Sequence, residues 1–111
     1  MEERHNNREL YFKEQHTTLN KYILPYIEKF KPITENTQVL EVGCGYGGNL
    51  KPFMDKGCFI TGVDIREKSI EDAKRLLDID SHPKLTLIAS DIYDVKDFDQ
   101  KFDILILRKN N

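Results

Sequence analysis

Residues 39–50, VLEVGCGYGGNL, carry an apolar run into a turn that holds Gly43, Gly45, Gly47 and Gly48. Few arrangements use that density of glycine. Glycine accepts positive φ without strain and has no side chain to hold a neighbour away, so such a turn can lay bare backbone N–H groups against a bound molecule. A helix after the turn would add its positive N-terminal end. Strand, glycine turn and helix in this order make the first half of a βαβ unit, and in sheets built from such units ligands lie beyond the carboxyl ends of the strands.

The rest of the chain fits that frame. Upstream, Leu10, Tyr11, Leu19, Tyr22, Ile23, Tyr26, Ile27 and Phe30 recur at helical spacing, which predicts one or two helices over residues 7–30. Pro25 falls inside the pattern and predicts a kink or break near Leu24, because proline lacks an N–H and clashes with the preceding turn. Residues 31–38, with Pro32 and Asn36, read as a loop. Downstream, short apolar runs alternate with polar segments of helical length. They predict strands over 39–42, 59–64, 85–89 and 102–107, and helices over 48–56, ended by Gly57, and 67–77. Residues 78–84 read as a loop and 92–100 as a polar connection with room for a short helix. Strands alternating with helices imply an α/β fold with a parallel sheet and right-handed crossovers. The strands are mostly apolar without strict alternation, as expected when both faces of the sheet are covered.

Composition narrows the function classes. The 111 residues suit one small domain, and 17 basic against 19 acidic residues, interspersed, give no field that would favour nucleic acid or a membrane surface. No apolar run approaches the roughly 20 residues of a membrane span, and the charged segment 1–7 lacks the apolar stretch of a signal peptide, so the expected location is the cytoplasm. Cys44 and Cys58 fit a reducing compartment, and neither stands in a metal-binding spacing, so no metal is expected. Cys44 in the glycine turn invites a nucleophile reading. The only histidine after it is His82, on a loop, and a small side chain suits a tight turn, so the structural reading is preferred. His5 and His16 read as solvated helix residues.

Three acids, Glu41, Asp64 and Asp91, fall at or near the carboxyl ends of the first three strands, and a parallel sheet would gather them along one rim. Asp64 follows Gly43 at about the spacing, ≈ 20 residues, of an acid that accepts from ribose hydroxyls. A carboxylate with two acceptor oxygens suits a vicinal diol. The plainer alternative, a cap for the following helix, stays open. Gly43, Gly45 and Gly48 also satisfy the dinucleotide pattern G-x-G-x-x-G, so an NAD-dependent oxidoreductase is a competing reading. Glu41 weighs against it, because its charge would repel a pyrophosphate and attract an ammonium or sulfonium. The helical segment ahead of the first strand is also unlike a dinucleotide domain.

Four ordered segments, VLEVGCGYGG, GVDI, LIASDIYDV and FDILILR, together resemble the amino-terminal part of a class I S-adenosylmethionine-dependent methyltransferase. The resemblance covers about residues 38–108. It implies a Rossmann-like parallel sheet flanked by helices, incomplete at about four strands, with a helical segment over 1–37 and a partial cofactor-binding domain over 38–111. It also implies S-adenosyl-L-methionine as cofactor and a small molecule as methyl acceptor. Carried over residue by residue, the backbone around Gly43, Cys44 and Gly45 would cradle the methionine part, with Glu41 supporting the turn or the ammonium group. Asp64 would hold the ribose hydroxyls and Ile65 would pack on the adenine. Asp91 would accept from the adenine amino group, the Ile92 N–H would address the ring, and the Arg108 carbonyl would meet the ammonium. No general base is nominated. Tyr11 and Tyr46 could line the mouth of the site, although packing is the plainer role for both.

Relatives continue past the fourth strand into their acceptor-binding half, so the ending Arg108-Lys109-Asn110-Asn111 is expected to mark a piece of a longer enzyme. Such a piece could hold cofactor without turnover. It would also leave Ile104, Leu105, Ile106 and Leu107 on an open strand edge, where self-association is expected.

Overall fold

The computed structural model describes residues 7–95 and 102–107. Helix α1 (Arg8–Thr18) starts at Asn7, whose side-chain oxygen accepts the Leu10 N–H at 3.0 Å, the usual way to satisfy an orphan donor at a helix start. The break expected at Pro25 takes the form of a π turn, Leu19–Ile23, closed by the Leu24 N–H on the Leu19 carbonyl. Helix α2 (Leu24–Glu28) follows with Pro25 in its first turn, where a missing N–H costs nothing. The remaining elements are β1 (Gln38–Val42), α3 (Lys51–Asp55), β2 (Phe59–Asp64), α4 (Glu67–Leu76), β3 (Leu85–Ala89) and β4 (Ile104–Leu107), with single 3-10 turns at Ile79–Ser81 and Ile92–Asp94.

The four strands form one parallel sheet in the order β3-β2-β1-β4. Its register sets Leu85, Ile60, Val39 and Ile104 in one row across the sheet. On that face pack Leu19 from the π turn, Leu24 from α2, Leu50 and Phe53 at α3, and Ile70, Ala73 and Leu77 at α4. Phe53 and Leu50 are fully buried, and emptying such a site costs about 2–5 kcal/mol. On the opposite face Leu40 and Val63 are also buried, but Leu105 and Leu107 are 57% and 71% exposed. The expectation of two covered faces is therefore met at β1 and β2 and not at β4.

Among the boundaries that differ from the sequence reading, two do so for identifiable reasons. Helix α3 begins at Lys51 rather than Gly48 because the chain is still turning through Gly47, at φ +88°, and the Leu50 N–H closes on the Gly47 carbonyl at 2.9 Å. A Cβ on Gly47 would stand 2.6 Å from Leu77 Cδ1, and one on Gly48 would stand 2.6 Å from Gln15 Cβ and 2.7 Å from the Phe12 carbonyl oxygen. These two glycines let α4 and α1 press directly on the turn. Strand β4 begins at Ile104 because Asp103 acts as a clip: its N–H donates to the Gln38 carbonyl at 2.8 Å, and its carboxylate accepts the Gln38 N–H at 2.9 Å and Lys31 Nζ at 3.0 Å.

The amino-terminal edge of the sheet is closed in the same manner. Lys84 Nζ donates to the carbonyls of Glu35, at 2.7 Å, and Gly57, and the Cys58 thiol donates to the Thr34 carbonyl at 3.3 Å.

Candidate functional site

At the carboxyl edge a crevice of about 220 Å³ opens between the ends of β1, β2 and β3, lined by Val42, Gly43, Val63, Asp64, Ile65, Ser90, Asp91 and Ile92. Five residues singled out in the sequence, Gly43, Asp64, Ile65, Asp91 and Ile92, thus share one cavity. Glu41, Cys44 and Gly45 are not among its lining residues and belong to the strand end and turn beside it. Arg108 lies outside the described residues.

Gly43 and Gly45 take positive φ, +79° and +57°, which is where glycine is required. The first donors of the turn, however, are already taken. The N–H groups of Gly43 and Cys44 both donate to the Val63 carbonyl, at 2.7 and 3.0 Å, and the Gly45 N–H donates to Asp64 Oδ2 at 2.8 Å. The turn is folded back onto β2, and what it offers a ligand is the space left by missing side chains. That space lets a molecule lie against the main chain.

Asp64 is 2% exposed, and its second oxygen, Oδ1, accepts the Arg66 N–H at 2.9 Å. It therefore ties the glycine turn to the start of α4, with lone pairs left over for a further donor. Asp91 is half-buried and caps the 3-10 turn through Oδ1, which accepts the Tyr93 N–H at 3.0 Å. Ile65 is 65% exposed at the crevice wall, an apolar surface suited to a planar ring.

Glu41 is fully buried. Its Oε2 accepts from Asn49 Nδ2 at 2.9 Å, and its Oε1, also buried, has no hydrogen-bond partner among the described residues. Burial pushes its carboxyl up to about 8, and the charge of Asp64 adds to the effect while the Asn49 hydrogen bond opposes it. Cys44 is equally buried, its thiol raised by burial and by the neighbouring carboxylates, so it is inert at neutral pH. Its sulfur packs at Gly62, where a Cβ would approach it to 3.1 Å. Tyr46 stacks edge-to-face with Tyr11 at 5.9 Å and lies under the Arg8 guanidinium at the same distance, the packing role.

The rim is acidic and unbalanced. Among the described residues no lysine, arginine or histidine forms an ion pair with Glu41, Asp64 or Asp91. Sequence reasoning missed two residues here. Ser90 lines the crevice and donates its N–H to the Asp64 carbonyl at 2.9 Å. Asn49 holds Glu41, and the available signal was an amide placed at the turn's exit, after a strand that ends in a buried acid.

Residues 39–110 match the family model described as a methyltransferase domain. The chain belongs to that family. The fold agrees: the plantazolicin methyltransferase BpumL, solved with SAH, matches with a TM-score of 0.69 at 22% identity, over 96% of this chain and 39% of that one. The magnesium protoporphyrin IX methyltransferase of Synechocystis PCC 6803, solved with SAH, matches with a TM-score of 0.66 at 20% identity, over 84% of this chain and 42% of that one. PKMT2 from Rickettsia typhi, solved with AdoHcy, matches with a TM-score of 0.62 at 27% identity, over 75% of this chain and 18% of that one. The chain thus spans about two fifths of the length of the first of these and less than a fifth of the last. No curated protein sequence matches it. The four-stranded parallel sheet with flanking helices is that of a class I S-adenosylmethionine-dependent methyltransferase. Among the described residues no helix is long and apolar enough to cross a membrane.

Proposed function

We propose that this chain carries the S-adenosylmethionine site of a methyltransferase acting on a small molecule in the cytoplasm, with residues 1–37 as a helical segment and 38–111 as the cofactor-binding domain. The observation that carries the reading is the crevice at the carboxyl edge, where Gly43, Asp64, Ile65, Asp91 and Ile92 converge beside a turn whose glycines leave space against the main chain. The fit to the cofactor rests on chemistry these residues have. Gly43 and Gly45 leave room for the methionine chain, and Cys44 contributes only main chain, since its thiol points into the core. Asp64 retains acceptor capacity for the ribose diol. Ile65 offers apolar surface to the adenine, Asp91 an acceptor to its amino group, the Ile92 N–H a donor to the ring, and Glu41 a buried oxygen without a partner among the described residues. Arg108, which lies outside the described residues, is assigned its carbonyl contact by family resemblance.

A sulfonium cofactor supplies an already activated methyl group, so the protein's contribution is to place it in line with the acceptor and exclude water. A cofactor-holding module without turnover is the second reading. Self-association through β4 belongs with this proposal, supported by the exposure of Leu105 and Leu107, and sedimentation over a range of concentrations would detect it.

Calorimetric titration with S-adenosylhomocysteine tests the site. Asp91→Ala is the informative variant, because Asp64 also braces the turn. Saturable binding by the wild type, weakened about tenfold in Asp91→Ala, supports the reading, and absence of saturable binding overturns it. Methyl release from labelled S-adenosylmethionine then separates the two readings: binding with no release across an acceptor panel favours the module.

A further inference from the structure

A second cavity, of about 230 Å³, lies between α1, the π turn and the exit of the glycine turn. Tyr11 from α1 and the two ends of the π turn, Leu19 and Ile23, give it an apolar wall, with Leu19 buried and Ile23 exposed. Glu14, Gln15 and Asn49 supply its polar groups, and these are weighted toward acceptors. Asn49 spends an amide N–H on Glu41 Oε2 at 2.9 Å, which leaves its carbonyl oxygen for a ligand. Gln15 Oε1 is buried beside Gly48 with no hydrogen-bond partner among the described residues, and such a group calls for a donor. No lysine, arginine or histidine is among the described lining residues, so nothing there would hold a phosphate or a carboxylate. An apolar wall with a few convergent acceptors suits an apolar body that carries an N–H or O–H.

We propose that this cavity is the recognition pocket for the methyl acceptor, and that the acceptor is a single-ring or short alkyl molecule whose hydroxyl or amino group donates to Asn49 Oδ1, with Gln15 as a second acceptor. The proposal rests on the reading of the crevice as an S-adenosylmethionine site and names the substrate class. Asn49 is the link between the two cavities. Its N–H holds Glu41 on the flank of the crevice, and its oxygen is left to the second cavity. An N–H or O–H group is also what a sulfonium can methylate, so the pocket selects for the chemistry the cofactor supplies. With a hydroxyl, the C–S bond breaks and leaves its electron pair on sulfur, a C–O bond forms, and the hydroxyl proton goes to solvent. The product then lacks the hydrogen that Asn49 accepts and is held less tightly than the acceptor.

Para-cresol and para-methylanisole, its O-methyl ether, are the matched probes, because the ether has lost only the donor. Each is titrated into the isotope-labelled chain with and without S-adenosylhomocysteine, and NMR follows the side-chain amide signals of Asn49 and Gln15. Para-cresol should bind saturably and about tenfold more tightly than its ether, the worth of one hydrogen bond. The Asn49 signal should also move with S-adenosylhomocysteine, since Asn49 holds Glu41 on that side. Ile23→Trp, at an exposed position of the wall, fills the cavity and should weaken para-cresol by more than about tenfold. Its affinity for S-adenosylhomocysteine should stay within about twofold of the wild type. Tyr26→Trp, at an exposed position outside the cavity, should leave both ligands unaffected. Asn49→Ala should erase the preference for the phenol. Equal affinities for the two probes, no saturable binding of either, para-cresol binding that Ile23→Trp leaves intact, or a preference untouched by Asn49→Ala overturns the proposal and leaves the cofactor site standing. Absence of S-adenosylhomocysteine binding overturns the proposed function and the acceptor role together.

Discussion

The two ends of the sheet are built from similar residues and finished in opposite ways. At the amino-terminal edge polar groups meet partners: Lys84 serves the carbonyls of Glu35 and Gly57, Asp103 clips Gln38 and Lys31, and the Cys58 thiol reaches the Thr34 carbonyl. At the carboxyl edge three acids, Glu41, Asp64 and Asp91, face a crevice or its flank with no cation paired to them among the described residues. A buried polar group without its partner costs more than an average hydrogen bond contributes. A fold that ties one edge together and leaves the other short of positive charge among the described residues therefore concentrates its unspent electrostatics where ligands of parallel α/β sheets lie.

The sharpest way to break this contrast is Asp64→Ala. It orphans the N–H groups of Gly45 and Arg66 and, on the proposed reading, removes the ribose acceptor. Stability should fall by about 2–3 kcal/mol, seen as an earlier urea midpoint. S-adenosylhomocysteine affinity should fall by more than about 100-fold, a loss in binding energy comparable to one or two charge-assisted hydrogen bonds. Retained affinity would move the ribose assignment to another group.

Lys84→Met is the matching cut at the other edge. It removes the ammonium that joins two loops, Glu35 and Gly57, and stands 4.2 Å from the Phe59 ring centroid, and it keeps a side chain of similar length. Because Lys84 is half-buried, the expected cost is about 1–2 kcal/mol of stability. Cofactor affinity, measured on the folded fraction, should stay within about twofold. A large loss of affinity here would erase the division between a structural edge and a ligand edge.

The topology was legible because its signals are local. Apolar runs separated by glycine and proline set the four strands and their parallel order, and residues 59–64 and 85–89 form strands with the bounds the sequence predicts. What the sequence hid depends on contacts between distant segments. Gly47 and Gly48 look like ligand-facing glycines and instead admit Leu77 and Gln15. The N–H groups of Gly43, Cys44 and Gly45 look available and are taken by Val63 and Asp64. Asn49 carries no motif that announces a bond to Glu41, and Ser90 no motif that announces a bond to the Asp64 backbone. Strand composition implied two covered faces, yet the exposure of Leu105 and Leu107 depends on what packs beyond β4, which those strands do not encode.

Titration sharpens the contrast further, because the two edges should respond to pH in opposite senses. Glu41 at the carboxyl edge has its carboxyl raised by burial from 4.5 to about 8. The unfolded chain therefore loses this proton first, and from about pH 4.5 to 8 rising pH should lower stability, with no further change from this group above that. The total is on the order of a few kcal/mol. Urea midpoints for wild type and Glu41→Gln should diverge across this window, and parallel curves would show that Glu41 ionises freely in the folded chain.

Asp103 supplies the opposite sign and the smallest effect. The Gln38 N–H, and then Lys31, hold its carboxyl below the ordinary value of 3.8, so its stabilisation is present above that value and lost as pH falls through the lower folded one. The side chain is solvent-screened, and salt should weaken the Lys31 share while leaving the Gln38 share. Asp103→Asn should therefore lower the thermal midpoint slightly at pH 7, with most of the difference surviving added salt, and the two midpoints should converge in strong acid. A difference that persists unchanged into strong acid would mean that Asp103 acts by shape, as the start of the β1–β4 pairing at Gln38, and that the charge asymmetry between the edges owes nothing to this clip.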